Sequence, residues 1–367
     1  MNRKTYINQG ELITPLGEGA ELNFRAISHQ KSALKKYDGF GNFKQSFCAG
    51  IIEKVELITG FTKLESMMIR VIEKNIANSG IDLTKANSLL ILSTTKGNID
   101  LLENKQFPEQ RLYVGALAEQ IKNYFHCKNT PLIISNACVS SISALILAQR
   151  LVASGQLDEV VVCAGDLFSE FVLSGFYSFN ALSQDECKPF DRDRNGINLG
   201  EAAAAITVSA HMPTNSHATE LFPGYGSNDA NHISGPSRTG EGLIQCISKT
   251  LSGNEPVSFI NAHGTATLYN DEMEAIAFES LGLNHIYTNS LKAYFGHTLG
   301  ASGLLEIILC NLSLHQNRLI VSKGYQNHGV SVDLNLITQA TEVPLEGFLK
   351  TASGFGGTNA AIYCKKC

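Results

Sequence analysis

Long runs of any one kind are missing from this chain of 367 residues. No stretch approaches the ~18 consecutive apolar residues of a membrane span, so a transmembrane helix is not expected. The first segment, MNRKTYINQGELITPLG, lacks the apolar core of a secretory signal. There is no long basic run, and the net charge is −5. Nucleic acid is therefore not an expected partner, because phosphate binding needs a positive footprint. Regular cysteine spacing is absent too: the nine cysteines are an odd number, irregularly placed. Reduced thiols in a cytoplasmic protein are the expectation. Cys364 and Cys367 form a C-K-K-C pair without the other two ligands of a zinc site. No metal is assigned; a strand residue followed by a frayed tail is the simpler reading.

What is present is globular material, 44% apolar and 17% charged. The length allows a large core, as one domain or two coupled halves. Short apolar runs at 88–93 (SLLILS), 131–135 (PLIIS) and 160–164 (VVVCA) predict buried strands. Helical spacing predicts helices over 64–79, 114–125 and 139–154, the last followed by Gly155 as a capping glycine. This alternation points to an α/β protein with largely parallel strands. The second half repeats the theme: a strand over 257–263, another at 287–290, then a helix over 301–314. A duplicated fold is suggested, with halves at 1–210 and 211–367. The Pro-, Gly-, Ser- and Asn-rich stretch 211–242 reads as the irregular connection between them.

Four separated segments read as one site: NACVSS at 136–141, NAHGTATLYND at 261–271, SLKAYFGHTLGASG at 290–303 and SGFGGTNAA at 353–361. Cys138 lies between an apolar strand and a helix of small residues. A helix N-terminus there favours an anion and lowers a thiol pKa. Cys48, Cys127, Cys163, Cys246 and Cys310 have no such setting and read as buried, inert thiols. His263 follows a buried strand, and His297 occupies a strand-to-helix turn. Two neutral imidazoles aimed at one carbonyl oxygen make an oxyanion hole, although either histidine alone reads as a surface or capping residue. The other eight histidines receive no role. Lys292 is placed to orient His263 or neutralise a carboxylate. Asp271, Glu274 and Glu306 are candidate supports, with a structural ion pair the equal alternative for Glu306. The glycines around Phe355 can present backbone N–H groups, or simply form a hairpin. The charged loop 188–201 reads as a structural element held by ion pairs.

In their order and spacing, ACVSS, GFYSFNALS, KPFDRDRNGINLGEAAA, NAHGTATLYNDEMEA, SLKAYFGHTLGASGLLE and GFGGTNAA resemble the elongating Cys-His-His β-ketoacyl-acyl-carrier-protein synthases of the thiolase superfamily. The resemblance runs through nearly the whole chain. It implies a duplicated five-layer α-β-α-β-α sandwich and decarboxylative condensation of a malonyl thioester with a Cys-bound acyl chain. By resemblance Cys138 is the nucleophile, His263 and His297 polarise the malonyl thioester, and Lys292 supports the first histidine. Thr265 and Thr267 contact the phosphopantetheine arm. The N–H groups of Cys138 and Phe355 form the acyl-transfer oxyanion hole, and Phe355, after Gly354, is the gate. An acyl carrier protein is the implied partner, together with an identical or related synthase-like subunit, and no cofactor of the enzyme's own is implied. Basic residues near the helix after Gly60, namely Lys54, Lys63 and Arg70, are the implied carrier-docking charges. Three departures stand out: Leu291 and Phe295 beside the histidine site, Ser353 before the gate, and a shortened stretch from Leu101 to Pro131. A non-catalytic chain-length partner subunit is the alternative, but such subunits lack the cysteine that this chain keeps.

Overall fold

The computed structural model describes residues 3–213, 218–252 and 255–367. Two five-strand arrays repeat one pattern. The first runs Leu132–Ile134, Ser88–Ser93, Glu159–Asp166, Ala202–Ser209, Glu11–Thr14. The second runs Tyr287–Asn289, Phe259–Asn261, Gly347–Gly354, Thr358–Lys366, Tyr225–Asn228. Each has two parallel pairings followed by two antiparallel ones. Short strands Tyr6–Ile7 and Thr219–Leu221 pair antiparallel and join the arrays into one sheet system.

Two 14-residue helices, Ser140–Ala153 and Ser302–His315, form the middle layer. They pack on each other, and each touches strands of both arrays. Every residue from Ser302 to Leu314 is buried. A helix enclosed between two sheets has no water-facing side, so its sequence is apolar nearly all round. The residues of this layer share one core with the inward faces of both arrays. Helices Lys63–Ser79 and Val114–Phe125 cover the outer face of the first array, and Glu241–Thr250 and Leu268–Ser280 that of the second. The result is the five-layer α-β-α-β-α sandwich of the thiolase fold.

Local signals explain the element ends. Thr62 and Glu65 form a reciprocal capping box at the start of Lys63–Ser79, and Gly80 ends it in the left-handed region. A cap of this kind contributes about 1 kcal/mol. Gly155, at φ 77°, follows the end of Ser140–Ala153 as the sequence anticipates. The stretch 211–242 is less irregular than its composition suggests. It contains Thr219–Leu221 and Tyr225–Asn228, whose ladder partners in Thr358–Lys366 are remote in sequence; residues 214–217 lie outside the described part. Among the described residues no helix is long and apolar enough to cross a membrane. Cys364 is fully buried in a strand, and Cys367 is exposed beyond it.

Candidate active site

Equivalent turns of the two halves meet at the middle layer. Cys138 lies between Leu132–Ile134 and Ser140–Ala153; His297 lies between Tyr287–Asn289 and Ser302–His315. Ala137 adopts φ 44°, a left-handed conformation unusual for a residue with a Cβ. Ser140 Oγ accepts the Asn136 N–H at 2.8 Å and donates to the Ala137 carbonyl at 2.6 Å, which fixes the turn. Gly354 comes so close that a Cβ there would sit 3.0 Å from the Cys138 nitrogen. That approach brings the Phe355 backbone N–H to the Cys138 thiol.

The thiol does not behave as its helix-start position suggests. Burial pushes its pKa up to about 11, against the opposing pull of Lys292, Lys96 and the Phe355 N–H. The thiol is enclosed by protein, and desolvation outweighs the cations and the dipole. The resting thiol is therefore protonated at neutral pH. The buried Cys127, Cys163 and Cys310 are raised as well, by burial.

His263 is held through its main chain. Its N–H donates to Glu274 Oε1 at 2.7 Å, and the Gly264 N–H donates to Oε2 at 2.7 Å. Asp271 accepts from the Thr265 N–H at 2.9 Å and the Phe190 N–H at 2.7 Å. Both carboxylates belong to Leu268–Ser280, so this helix sets the shape of the histidine loop. Burial raises the pKa of both, Asp271 to about 7. His297 is held by a backbone exchange: its N–H donates to the Asn198 carbonyl at 2.6 Å, and its carbonyl accepts from Gly200 at 3.0 Å. Gly296, at φ 75°, makes that approach possible, since a Cβ there would run into the Leu199 carbonyl. Neither ring nitrogen of His297 has a hydrogen-bond partner among the described residues. The two imidazoles meet edge to face with centroids 5.2 Å apart. Burial first, then Lys292, hold both pKa values well below the usual histidine range, so both rings are neutral. The Cys138 sulfur and ring nitrogens of the two histidines lie within 4.8 Å of one another.

Beside them is an ion cluster of three buried side chains. Glu306 pairs with Lys292 through Oε1 at 2.5 Å and with Lys350 through Oε2 at 2.5 Å. Glu306 is thus part of a buried ion cluster whose two lysines act on the histidines. Lys292 bonds the glutamate rather than His263. Cys and two His are also zinc ligand types, but two ammonium groups next to them work against a divalent cation.

A cavity of about 450 Å³ opens onto Cys138, His263 and His297. Thr265 and Thr267 line it and share a hydroxyl hydrogen bond of 2.9 Å. Phe355 stands in its wall, stacked on Phe176 at 5.4 Å and edge-on to Phe179 at 5.3 Å. Ser353 also lines it and donates to Asn359 at 2.7 Å. Leu291 and Phe295, which flank Lys292 and the His297 turn, are buried in the apolar core.

Two sequence readings change. The loop 188–201 is held by backbone hydrogen bonds as well as by ion pairs, Lys63–Glu201 and Arg192–Asp193. Asp191 accepts backbone N–H groups of Asp193, Gln326 and Asn327, while Arg194 donates to the carbonyls of Asp191, Gly329 and Leu268. The same loop lends Asn198 and Gly200 to His297, and Asn195 and Gly196 to the cavity wall. Lys63 and Arg70 are not free docking charges: Lys63 pairs with buried Glu201 at 2.7 Å, and Arg70 pairs with Glu18 and Glu56. Lys54 remains exposed. Lys350, Asp166 and His232 were not found from sequence. His232 lines the cavity without any motif to mark it. Asp166 is buried and accepts from Thr94, Thr95 and the Gly300 N–H, tying the His297 turn to the first array. A lysine inside an apolar strand was the available signal for Lys350.

Known proteins match along the chain. Residues 61–211 match the β-ketoacyl synthase N-terminal domain, and residues 221–325 the corresponding C-terminal domain. A 3-oxoacyl-[acyl-carrier-protein] synthase 2 from Vibrio cholerae is 25% identical over 99% of both chains. One from Coxiella burnetii is 29% identical over 65% of this chain, a stretch that spans 62% of that protein. The tetracenomycin ketoacyl synthase alpha subunit of Streptomyces glaucescens is 30% identical over 62% of this chain and 58% of its own length. In fold, the chain is similar to a chain of the ketosynthase–chain length factor complex from Xenorhabdus doucetiae. The TM-score is 0.89 at 23% identity, covering 100% of this chain and 98% of that one. The two domain matches, the end-to-end relative and the shared fold place this chain in the β-ketoacyl-acyl-carrier-protein synthase family, the condensing acyltransferases of the thiolase fold.

Proposed function

We propose that this chain joins a malonyl unit carried on an acyl carrier protein to an acyl group held on Cys138, in fatty-acid or type II polyketide biosynthesis. The observation that carries this reading is the meeting of one thiol and two neutral imidazoles within 4.8 Å beside an apolar cavity. In the first step Cys138 attacks the acyl thioester of the carrier. Its proton passes through a neutral imidazole to the departing carrier thiol. The tetrahedral oxyanion sits between the N–H groups of Cys138 and Phe355. In the second step the malonyl carbonyl oxygen accepts hydrogen bonds from His263 and His297. The bond to the carboxylate breaks, carbon dioxide leaves, and the electron pair becomes an enolate that the two donors stabilise. Its carbon then attacks the acyl-Cys138 carbonyl, the thiolate leaves, and a β-ketoacyl chain remains on the carrier.

Thr265 and Thr267, in the cavity wall, contact the pantetheine arm; Asp271 and Glu274 hold the loop between them and His263. Gly354 and Phe355 form the gate, and Lys292 with Glu306 sets the charge near the histidines. Acyl groups arrive on the carrier's phosphopantetheine, without a further cofactor. The chain functions in the cytoplasm as two coupled halves, 1–210 and 211–367. A second synthase-like subunit, identical or related, pairs along Leu132–Ile134. This strand ends the sheet order and leaves Leu132 41% exposed. The presence of Cys138 speaks against the non-catalytic partner reading. Replacement Cys138→Ala tests it: radiolabelled acyl transfer from the carrier should vanish while the circular dichroism spectrum is kept. Label appearing on another cysteine would overturn the assignment.

A further inference from the structure

Lys350 has no place in the family resemblance, yet it is as enclosed as Lys292, both at 0% exposure. It is the fourth residue of Gly347–Gly354, the strand that ends at the Phe355 gate. Its ammonium lies 2.5 Å from Glu306 Oε2. It also faces the main-chain carbonyls of Asn261 at 3.4 Å and Ala262 at 3.3 Å, the two residues before His263. The Lys292 ammonium donates only to Glu306 among the bonds described. The cation that touches the chain leading into His263 is therefore Lys350. One glutamate facing two lysines leaves an extra positive charge when both are protonated. A buried charge of this kind is costly and gives no clear stability in return.

We propose that Lys350 is a positioning residue for the malonyl half-reaction: it fixes the strand end that aims His263 and adds positive charge where the enolate forms. This rests on the condensing reading above. Acyl transfer to Cys138 uses the N–H groups of Cys138 and Phe355 and should depend on Lys350 much less. The groups facing Lys350 are Glu306 and Cys310 on Ser302–His315, Lys292 on the short helix Lys292–Phe295, Glu274 on Leu268–Ser280, and the two histidines. Burial lowers the Lys350 pKa below the usual lysine range. Its charge is therefore lost at a lower pH than that of an ordinary lysine.

The test is Lys350→Met in the full chain with its carrier protein. Carbon dioxide release from malonyl-carrier and acylation of Cys138 are measured separately across pH. Decarboxylation should fall about 10- to 100-fold, the worth of one charge-assisted contact, with acylation changed less than about threefold. The alkaline fall in wild-type decarboxylation should disappear in the variant. Equal losses in both steps, or no loss in either, would overturn the proposal, as would an unmoved alkaline limb. If the Met variant does not fold, Lys350→Gln is read by the same criteria. A wild-type chain that neither acylates nor decarboxylates would sink the condensing reading itself, an outcome separate from any result on the variant.

Discussion

The two middle-layer helices occupy matching places, have the same length, and carry different chemistry. Ala144 is the fifth residue of Ser140–Ala153, and Glu306 is the fifth of Ser302–His315. Val162 is the fourth residue of Glu159–Asp166, and Lys350 is the fourth of Gly347–Gly354. All four are buried against the same layer. In the first half that layer is apolar and backs a thiol. In the second half it holds an ion cluster and backs two imidazoles. On the proposed mechanism, one scaffold serves two half-reactions: the first half supplies the nucleophile, and the second supplies donors and charge for the enolate. Desolvation keeps the thiol protonated and the imidazoles neutral.

The sharpest way to break this division is to disable the second half alone. His263→Ala and His297→Ala should each slow carbon dioxide release by about 10²–10³, the worth of one oxyanion donor. Acylation of Cys138 should be affected less. Equal losses in the two assays would mean that the halves do not divide the work.

Next in size is Glu306→Ala, which gives the second half the residue the first half already has at Ala144. It strands Lys292 and Lys350 without a counter-charge, at a cost of about 3–5 kcal/mol. Urea unfolding measures it. A loss under about 1 kcal/mol would mean that the lysines find other partners or lose their protons cheaply.

The smallest effect is in pH. The folded state holds His263 and His297 below the usual value of about 6.5, so above that pH both states carry neutral rings. As pH falls below about 6.5, the unfolded chain takes up protons first, and stability drops until the folded values are reached. Asp271, raised to about 7, takes up a proton in the folded state over the same range and acts the other way, so the effect is read as a difference: between pH 7.5 and pH 5.5 the wild type should lose more stability, or gain less, than His297→Ala. An identical pH slope in that variant would show that His297 is not held neutral.

Much of this was legible before any coordinates. Ser88–Ser93 and Val114–Phe125 fall where their periodicity puts them, because short apolar runs and 3.6-residue spacing report burial directly. The four site segments also converge, since small residues beside reactive ones mark close backbone approach. Less visible were Tyr225–Asn228, whose apolar pattern is weak and whose partner strand lies more than a hundred residues away, and the tethering of Lys63 to Glu201.

The sequence by itself determined the elements, the duplicated alternation and which thiol and histidines share one site. These depend on local periodicity and on residue types whose chemistry is their own. Only the tertiary structure decided the protonation states, the partner of Lys292 and the place of Lys350. Each is set by what surrounds a side chain after folding. Burial moved the Cys138 pKa opposite to its helix-start position, and a glutamate 44 residues earlier in the chain gave Lys350 its partner.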